Sequence, residues 1–600
     1  MEKMFYAQCP GDTWTLTVDC AQRSSGLLLE ITCAGEDVLR LRREDGRLRL
    51  RFFTRWEGTT RSFGESPAFA WTLEADASAS RLCVTCDRAA IRLFDGSELA
   101  DEEWLLGACA AGEWAVRTGE DVSGYDLRAG TCAVCGEERR FTGPMQFFVP
   151  AGYNAGVGDC MPFSREGRYC LYYLFDRRGH ASKQRLGAHQ WGQISSADLK
   201  TWTVHPLAIP ITEQWEGSIC TGSLIRRGDR FFAFYAVRMA DGSPARLTWA
   251  VSEDGVHFRK AGRFFTLTHP YEPISARDPM VFEGADGLYH MLVTTSLADG
   301  GPYGGCLAHL TSADLERWTQ QAPFIVPGYA DQPECSDYFE WNGYYYLVFS
   351  NFATARYRIS RGPFGPWMRP KDDILDTIES QVAKTAPFQG RRLVTGFLCR
   401  RPRTYAGNAV THELFQRQDG TLGVRFVEEI LPALPAEDAI EDFSLQAETG
   451  RAWRKLACPQ DAFRLRLRIR PHSRGTLYGI TLQFGEEQEP KRTYRIDFDP
   501  ASKSVALLRP DEQFELGASR NRRAAAQGVD EEIAADILVQ EDMLDMALSN
   551  GQALTLRLED RGACRVGVYA LAGEADFFQI RIGRQRRKET DGAEDICRSI

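Results

Sequence analysis

The sequence predicts an all-β protein: a five-bladed β-propeller flanked by an N-terminal β-sandwich and a C-terminal β-sandwich. Three observations carry this. Short strand patterns, alternating or wholly apolar and separated by Gly, Asp and Ser turns, run through most of the chain. A polar-then-aromatic hairpin recurs as Ser195-Ser196-Ala197-Asp198-Leu199-Lys200-Thr201-Trp202, Ser252-Glu253-Asp254-Gly255-Val256-His257-Phe258 and Thr311-Ser312-Ala313-Asp314-Leu315-Glu316-Arg317-Trp318, with a looser copy at Ser360–Trp367. Finally, an inner-strand start recurs five times: after Asp159, after Thr221-Gly222-Ser223, after Asp278, after Glu334 and after Ala383-Lys384-Thr385, about 50 to 63 residues apart. A period near 50 with four short strands per unit is the pattern of a propeller, and five starts predict five blades.

At 600 residues the chain is too long for a single core, so several domains are expected. Residues 1–140 read as strands, among them 13–18, 26–31 and 47–52, with no convincing long helix, and form a sandwich-like domain. A carbohydrate-binding role and a packing or dimerisation role both suit it. Residues 141–430 hold the five repeats. Leu431-Pro432-Ala433-Leu434-Pro435 suits a linker, and residues 431–600 alternate again, as in Phe463–Ile469 and Tyr494–Phe498, to give the second sandwich. Within it, Ile533, Ile537, Leu538, Met543, Leu544 and Leu548 are spaced as on an amphipathic helix over 530–548, predicting a helical insertion.

Composition narrows the function. The chain is 43% hydrophobic and 26% charged, with a net charge of −10 and no basic stripe, which argues against a nucleic-acid partner. No run approaches the roughly 18 apolar residues that cross a bilayer, and the first residues have no apolar stretch of signal-peptide type. The 17 cysteines are scattered and odd in number, and read as reduced thiols of a cytoplasmic protein. Two CxxC pairs, Cys83/Cys86 and Cys132/Cys135, raise the question of zinc, but a strand at Cys83–Cys86 would point the sulfurs to opposite faces. No metal and no cofactor are expected, and the chain is compatible with a homo-oligomer.

Three of the five starts carry an acid: Asp159, Asp278 and Glu334, 119 and 56 residues apart. The innermost strand of every propeller blade lines the central channel, so the three converge on one funnel. Two carboxyl groups there can break a glycosidic bond, one giving a proton to the leaving oxygen and one acting at the anomeric carbon. Burial or a neighbouring negative charge keeps one protonated at neutral pH, and a third can hold sugar hydroxyls. A small glycoside or oligosaccharide is the expected partner.

Arg277-Asp278-Pro279 and Glu334-Cys335 resemble the two short signatures of glycoside hydrolase family 32, the β-fructofuranosidases. Gln190-Trp191-Gly192-Gln193, Cys220-Thr221-Gly222-Ser223 and Gly420-Thr421-Leu422 follow in family order, and the resemblance covers about residues 147 to 600. It implies a five-bladed propeller followed by a β-sandwich, with Asp159 as nucleophile, Glu334 as general acid/base and Asp278 as transition-state stabiliser. It further implies that Arg277 holds the carboxylates in their charge states, that Cys335 tunes Glu334, and that Trp191 and Thr221 line the sugar site; Lys384, at the fifth start, would face the funnel. The family's first signature, Asn-Asp-Pro-Asn-Gly, is here Gly158-Asp159-Cys160-Met161-Pro162, which keeps the acid and loses both asparagines. The N-terminal 140 residues also lie outside the family plan.

The expected function is therefore a retaining glycosidase acting on β-fructofuranosides or a related furanoside. The alternatives are an inverting pentosidase on an arabinanase- or xylosidase-like propeller, and a non-catalytic carbohydrate-binding propeller. Retention would set the Asp159 and Glu334 carboxyl groups about 5–5.5 Å apart, inversion roughly 6.5–9.5 Å.

Overall fold

The computed structural model describes residues 3–585 apart from 22–24, 45, 77–78, 97, 131–137, 153, 377–379, 401–403, 460–461, 486–491 and 511–522. Among these the regular structure is almost entirely strand; the one α-helical segment is the four-residue Ser182–Arg185. No helix among the described residues is long and apolar enough to cross a membrane.

The N-terminal region folds into a six-stranded and a five-stranded antiparallel sheet. Alternation in strands such as Arg47–Arg55 buries Leu48, Leu50 and Phe52 while the intervening arginines face solvent. The two inner faces share a core centred on Trp14 and Trp114, whose rings meet edge-to-face at 5.9 Å. Cys83 and Cys86 lie on one strand of this sandwich, Arg81–Cys86, and Cys86 is buried. The second CxxC pair, Cys132/Cys135, lies outside the described residues.

Five four-stranded antiparallel units follow. Their inner strands are Gly156–Arg165, Glu216–Arg227, Arg277–Glu283, Glu334–Trp341 and Ser380–Phe388, and each touches the next around a ring, the fifth touching the first. The ring is closed by one backbone pairing, Val157 with Gly407 on the third strand of blade 5, and by an isolated bridge between Phe148 and Ala409. Side chains tie neighbouring inner strands together: the Ser223 hydroxyl donates to the Pro279 carbonyl and accepts from the Val281 amide, while Asp337 accepts from the amide and hydroxyl of Thr385.

The repeated hairpin has a local cause. In blades 1, 2 and 3 a serine hydroxyl (Ser196, Ser252, Ser312) accepts from the amide three residues on, and the aspartate two residues later (Asp198, Asp254, Asp314) accepts from two further amides. The residue between takes a left-handed conformation, Leu199, Gly255 and Leu315 having φ of 61°, 67° and 67°.

The C-terminal region is an eleven-stranded arrangement joined through the 21-residue strand Cys564–Arg584, which pairs with strands on both sides of one core. The helical insertion expected over 530–548 is not formed. Ile533–Gln540 and Met543–Leu548 are paired strands. Ile533, Ala535, Ile537 and Val539 are buried at period two, and the chain reverses at Glu541, whose φ is 53°. The apolar residues that spaced out a helical face are the inward positions of this hairpin.

Both flanking regions hold the propeller. On the N-terminal side, Arg177 pairs with Glu102 at 3.0 Å, Arg178 pairs with Asp101, and the Lys183 amide donates to Glu103 at 2.8 Å. On the C-terminal side, the fully buried Asp545 meets His412 at 2.9 Å and Gln146 at 2.5 Å, and Arg557 donates to the Cys399 carbonyl. Buried free thiols occur in all three regions, among them Cys20, Cys160 and Cys564.

Candidate active site

All five inner strands carry a register shift near their start, between Val157 and Cys160, Ile219 and Gly222, Arg277 and Met280, Glu334 and Asp337, and Gln381 and Lys384. A bulge bends the strand and re-aims a side chain. In blades 3 and 4 the bulge forces left-handed backbone on Asp278 (φ 55°) and Cys335 (φ 52°), a conformation that costs a non-glycine residue about 1–3 kcal/mol and that clusters at functional sites. The repeated bulge is what turns the side chains at equivalent starts toward one another.

Asp159, nearly buried, is surrounded by donors. The Tyr405 hydroxyl donates to its Oδ1 at 2.7 Å, the Thr221 hydroxyl donates to Oδ2, and the Cys335 thiol lies 3.4 Å from Oδ2. Asp278, 3% exposed, accepts the Cys335 amide at 3.1 Å and lies 3.7 Å from Arg277 Nε. Glu334 accepts from Arg277 Nη2 at 2.7 Å. Arg277 is fixed in turn by Gln332 Oε1 at 2.5 Å and the Ser275 carbonyl at 2.8 Å. One ligand atom from each of Asp159, Asp278 and Cys335 lies within 4.8 Å of the others, and every one of these groups already takes part in a protein hydrogen bond.

The environments of the acids differ. Burial drives the Asp278 carboxyl up to about 6, against the opposing charge of Arg277 and with Asp159 and Glu334 adding to the rise. Burial also raises Glu334, with Arg277 again opposing. Of the two, Glu334 keeps an open face, its side chain 35% exposed against 4% for Asp278. Burial and the neighbouring carboxylates push the Cys335 thiol well above its ordinary value, so it is a neutral donor.

The three acids and Arg277, Thr221 and Cys335 are thus brought together as the sequence suggested, although Thr221 and Cys335 are buried and directed at Asp159. Trp191 corrects the sequence reading. It sits on the third strand of its blade, Gln190–Ser196, is fully buried, and packs between Tyr172 and Tyr235 with its indole N–H on the Cys220 carbonyl at 2.9 Å. It is a packing residue between blades 1 and 2 and offers no face to a sugar. Lys384 is 3% exposed and donates to the Gly222 carbonyl at 2.8 Å, beside Thr221, so it is buried and not part of an open wall.

Two participants were missed. Gln332 holds Arg277 and is itself held by Ser275 and Ser296. Tyr405, from the connection between the second and third strands of blade 5, reaches Asp159 from 246 positions away. The signal for it was Gly158: a Cβ there would meet the Tyr405 ring at 2.5–2.8 Å.

A five-membered ring of blades with carboxyl groups gathered at its axis defines a carboxylate-site β-propeller. Residues 161–361, about a third of the chain, match the model of the glycosyl hydrolases family 32 N-terminal domain. The matched segment contains Asp278 and Glu334 and begins two residues after Asp159. Sucrose-6-phosphate hydrolase from Escherichia coli is 28% identical over 211 residues; the alignment spans 34% of this chain and 42% of that relative's length. Among solved structures, fructan 1-exohydrolase IIa from Cichorium intybus superposes with a TM-score of 0.58 at 14% identity, over 74% of this chain and 97% of that one. The β-fructofuranosidase from Schwanniomyces occidentalis gives 0.52 at 16%, over 73% and 98%. These two likenesses establish the fold.

Proposed function

We propose that the protein is a retaining glycosidase of β-fructofuranosides, with Asp159 as nucleophile, Glu334 as general acid/base and Asp278 holding sugar hydroxyls. The observation that carries it is the division of labour around Arg277: Glu334 is raised by burial yet keeps an open face, while Asp159 is fixed by Tyr405, Thr221 and Cys335. In the first step an Asp159 oxygen bonds to the anomeric carbon as the bond to the leaving oxygen breaks, and that oxygen takes the Glu334 proton. In the second, Glu334 takes a proton from water, whose oxygen displaces Asp159 and frees the sugar. The inverting pentosidase and the non-catalytic propeller are not favoured, because the family match supports neither.

The domain limits proposed are 1–140, 141–430 and 431–600, with the propeller catalytic, and the location proposed is the cytoplasm, in keeping with many free thiols. Incubation with a panel of fructosides and arabinosides, with the products followed by NMR from the first minutes, tests the reading. Fructose released with its configuration retained is expected. Release of a pentose, or inversion, would overturn it.

A further inference from the structure

We propose that Tyr405 is the positioning residue of Asp159, and that residue 158 is glycine so that the tyrosine ring can lie directly against the bulge carrying that acid. The inference rests on the reading of Asp159 as nucleophile.

The contact is reciprocal. The Tyr405 hydroxyl donates to Asp159 Oδ1 at 2.7 Å and accepts from the Asp159 backbone amide at 3.1 Å. One phenol oxygen therefore ties the carboxylate to its own main chain at the point where the strand bulges. A carboxylate oxygen held this way cannot rotate freely about the Cβ–Cγ bond, which is what in-line attack on an anomeric carbon requires. Burial, reinforced by the Asp159 charge, holds the phenol far above its ordinary value, so it remains a donor wherever the protein is folded.

The fold delivers the ring to this place. Gly407, two residues after the tyrosine, makes the pairing with Val157 that closes the propeller. Residues 156–158 face 405–407 closely enough that a Cβ at Gly156 would meet Ala406 at 3.2 Å and one at Gly158 would meet Tyr405 Cε1 at 2.7 Å. The latter is far inside van der Waals contact. On its other side the ring stacks on His180 at 4.1 Å between centroids and lies 4.8 Å from His189, with Phe397 edge-on at 5.3 Å. His189 is anchored by Asp176 at 3.0 Å, and Asp176 also accepts the Gly179 amide at 2.6 Å. The segment bearing His180 is clamped by the N-terminal sandwich through Arg177–Glu102, Arg178–Asp101 and Lys183–Glu103. A rigid support thus runs from the N-terminal sandwich through His180 and Tyr405 to Asp159.

Five variants of the full chain test this, each checked for an unchanged unfolding transition: Tyr405→Phe, Tyr405→Ala, Gly158→Ala, the last two combined, and Asp159→Asn. Tyr405→Phe keeps the ring and removes the donor; a hydrogen bond to a charged group is worth about 1.5–3 kcal/mol, so kcat should fall roughly 10- to 100-fold with KM little changed. Gly158→Ala should lose activity comparably, and adding it to Tyr405→Ala should cost nothing further, since the clash partner is gone. Asp159→Asn separates the two readings. If Asp159→Asn stays active, the nucleophile assignment fails; if it is inactive while Tyr405→Phe turns over like the parent, the positioning role fails. A Tyr405→Phe effect confined to KM would equally overturn it.

Discussion

Arg277 donates from Nη2 to Glu334 Oε1 across 2.7 Å, and its Nε lies 3.7 Å from Asp278. One guanidinium therefore serves two acids whose burial works against ionisation.

The pair at the reaction centre should be indispensable. In the proposed mechanism Glu334→Gln removes the proton donor, and general acid catalysis contributes about 10²–10⁴-fold; Asp159→Asn removes the proposed nucleophile and should cost at least as much. Both losses should appear in kcat with folding intact. A variant keeping about a tenth of the parent's turnover would remove that residue from the mechanism.

Asp278 links activity to stability. Its carboxyl is raised from 3.8 unfolded to about 6 folded, so the folded state favours its protonated form. The associated stability is fully present below pH 4 and is lost as pH rises through 6, leaving a cost of about 2–3 kcal/mol at pH 7. Asp278→Asn should therefore be more resistant than the parent to denaturant at pH 7, no different at pH 3.5, and inactive at both. In the parent, kcat/KM should fall on the acid side with an apparent value near 6 that belongs to the coupled acids together.

Trp191 should matter to the scaffold. Trp191→Ala leaves a cavity between blades 1 and 2 and should destabilise the protein by about 3–5 kcal/mol, while Trp191→Phe should keep KM for the fructoside unchanged. A large rise in KM in a fully folded Trp191→Phe would return the residue to the sugar site.

Exhaustive dialysis against a chelator should leave turnover unchanged, because the proposed mechanism draws both the proton and the charge stabilisation from the acids and Arg277. Loss restored by one particular divalent ion would instead assign a metal to Asp159, Asp278 and Cys335, the trio whose ligand atoms lie within 4.8 Å.

The propeller was legible because its repeat is local: the Ser-x-Asp turn makes all its hydrogen bonds within a few residues, so each copy is written whole in a short stretch. The acids were legible because the architecture places strand starts together whatever their separation. Residues 530–548 misled because apolar residues four apart fit both a helix and the inward positions of a hairpin, and only the pairing of Ile537 with Met546 decides between them. Trp191 misled because its neighbours in sequence resemble a sugar-binding strand, whereas its place on the third strand buries it. Tyr405 could not be read at all from its surroundings; only the unexplained glycine at 158 marked where its ring would lie.

The closing pairing of Val157 with Gly407 has a consequence for biosynthesis. A nascent chain has produced all three acids once Glu334 is made, but the ring cannot shut, nor Tyr405 reach Asp159, until some seventy further residues have followed. A polypeptide arrested at 361, where the segment matching the family 32 model ends, would carry the acids on an open arc with Asp159 lacking its Tyr405 partner. The surroundings of Asp159 are thereby completed only in copies that carry the last blade, which serves as proof of length.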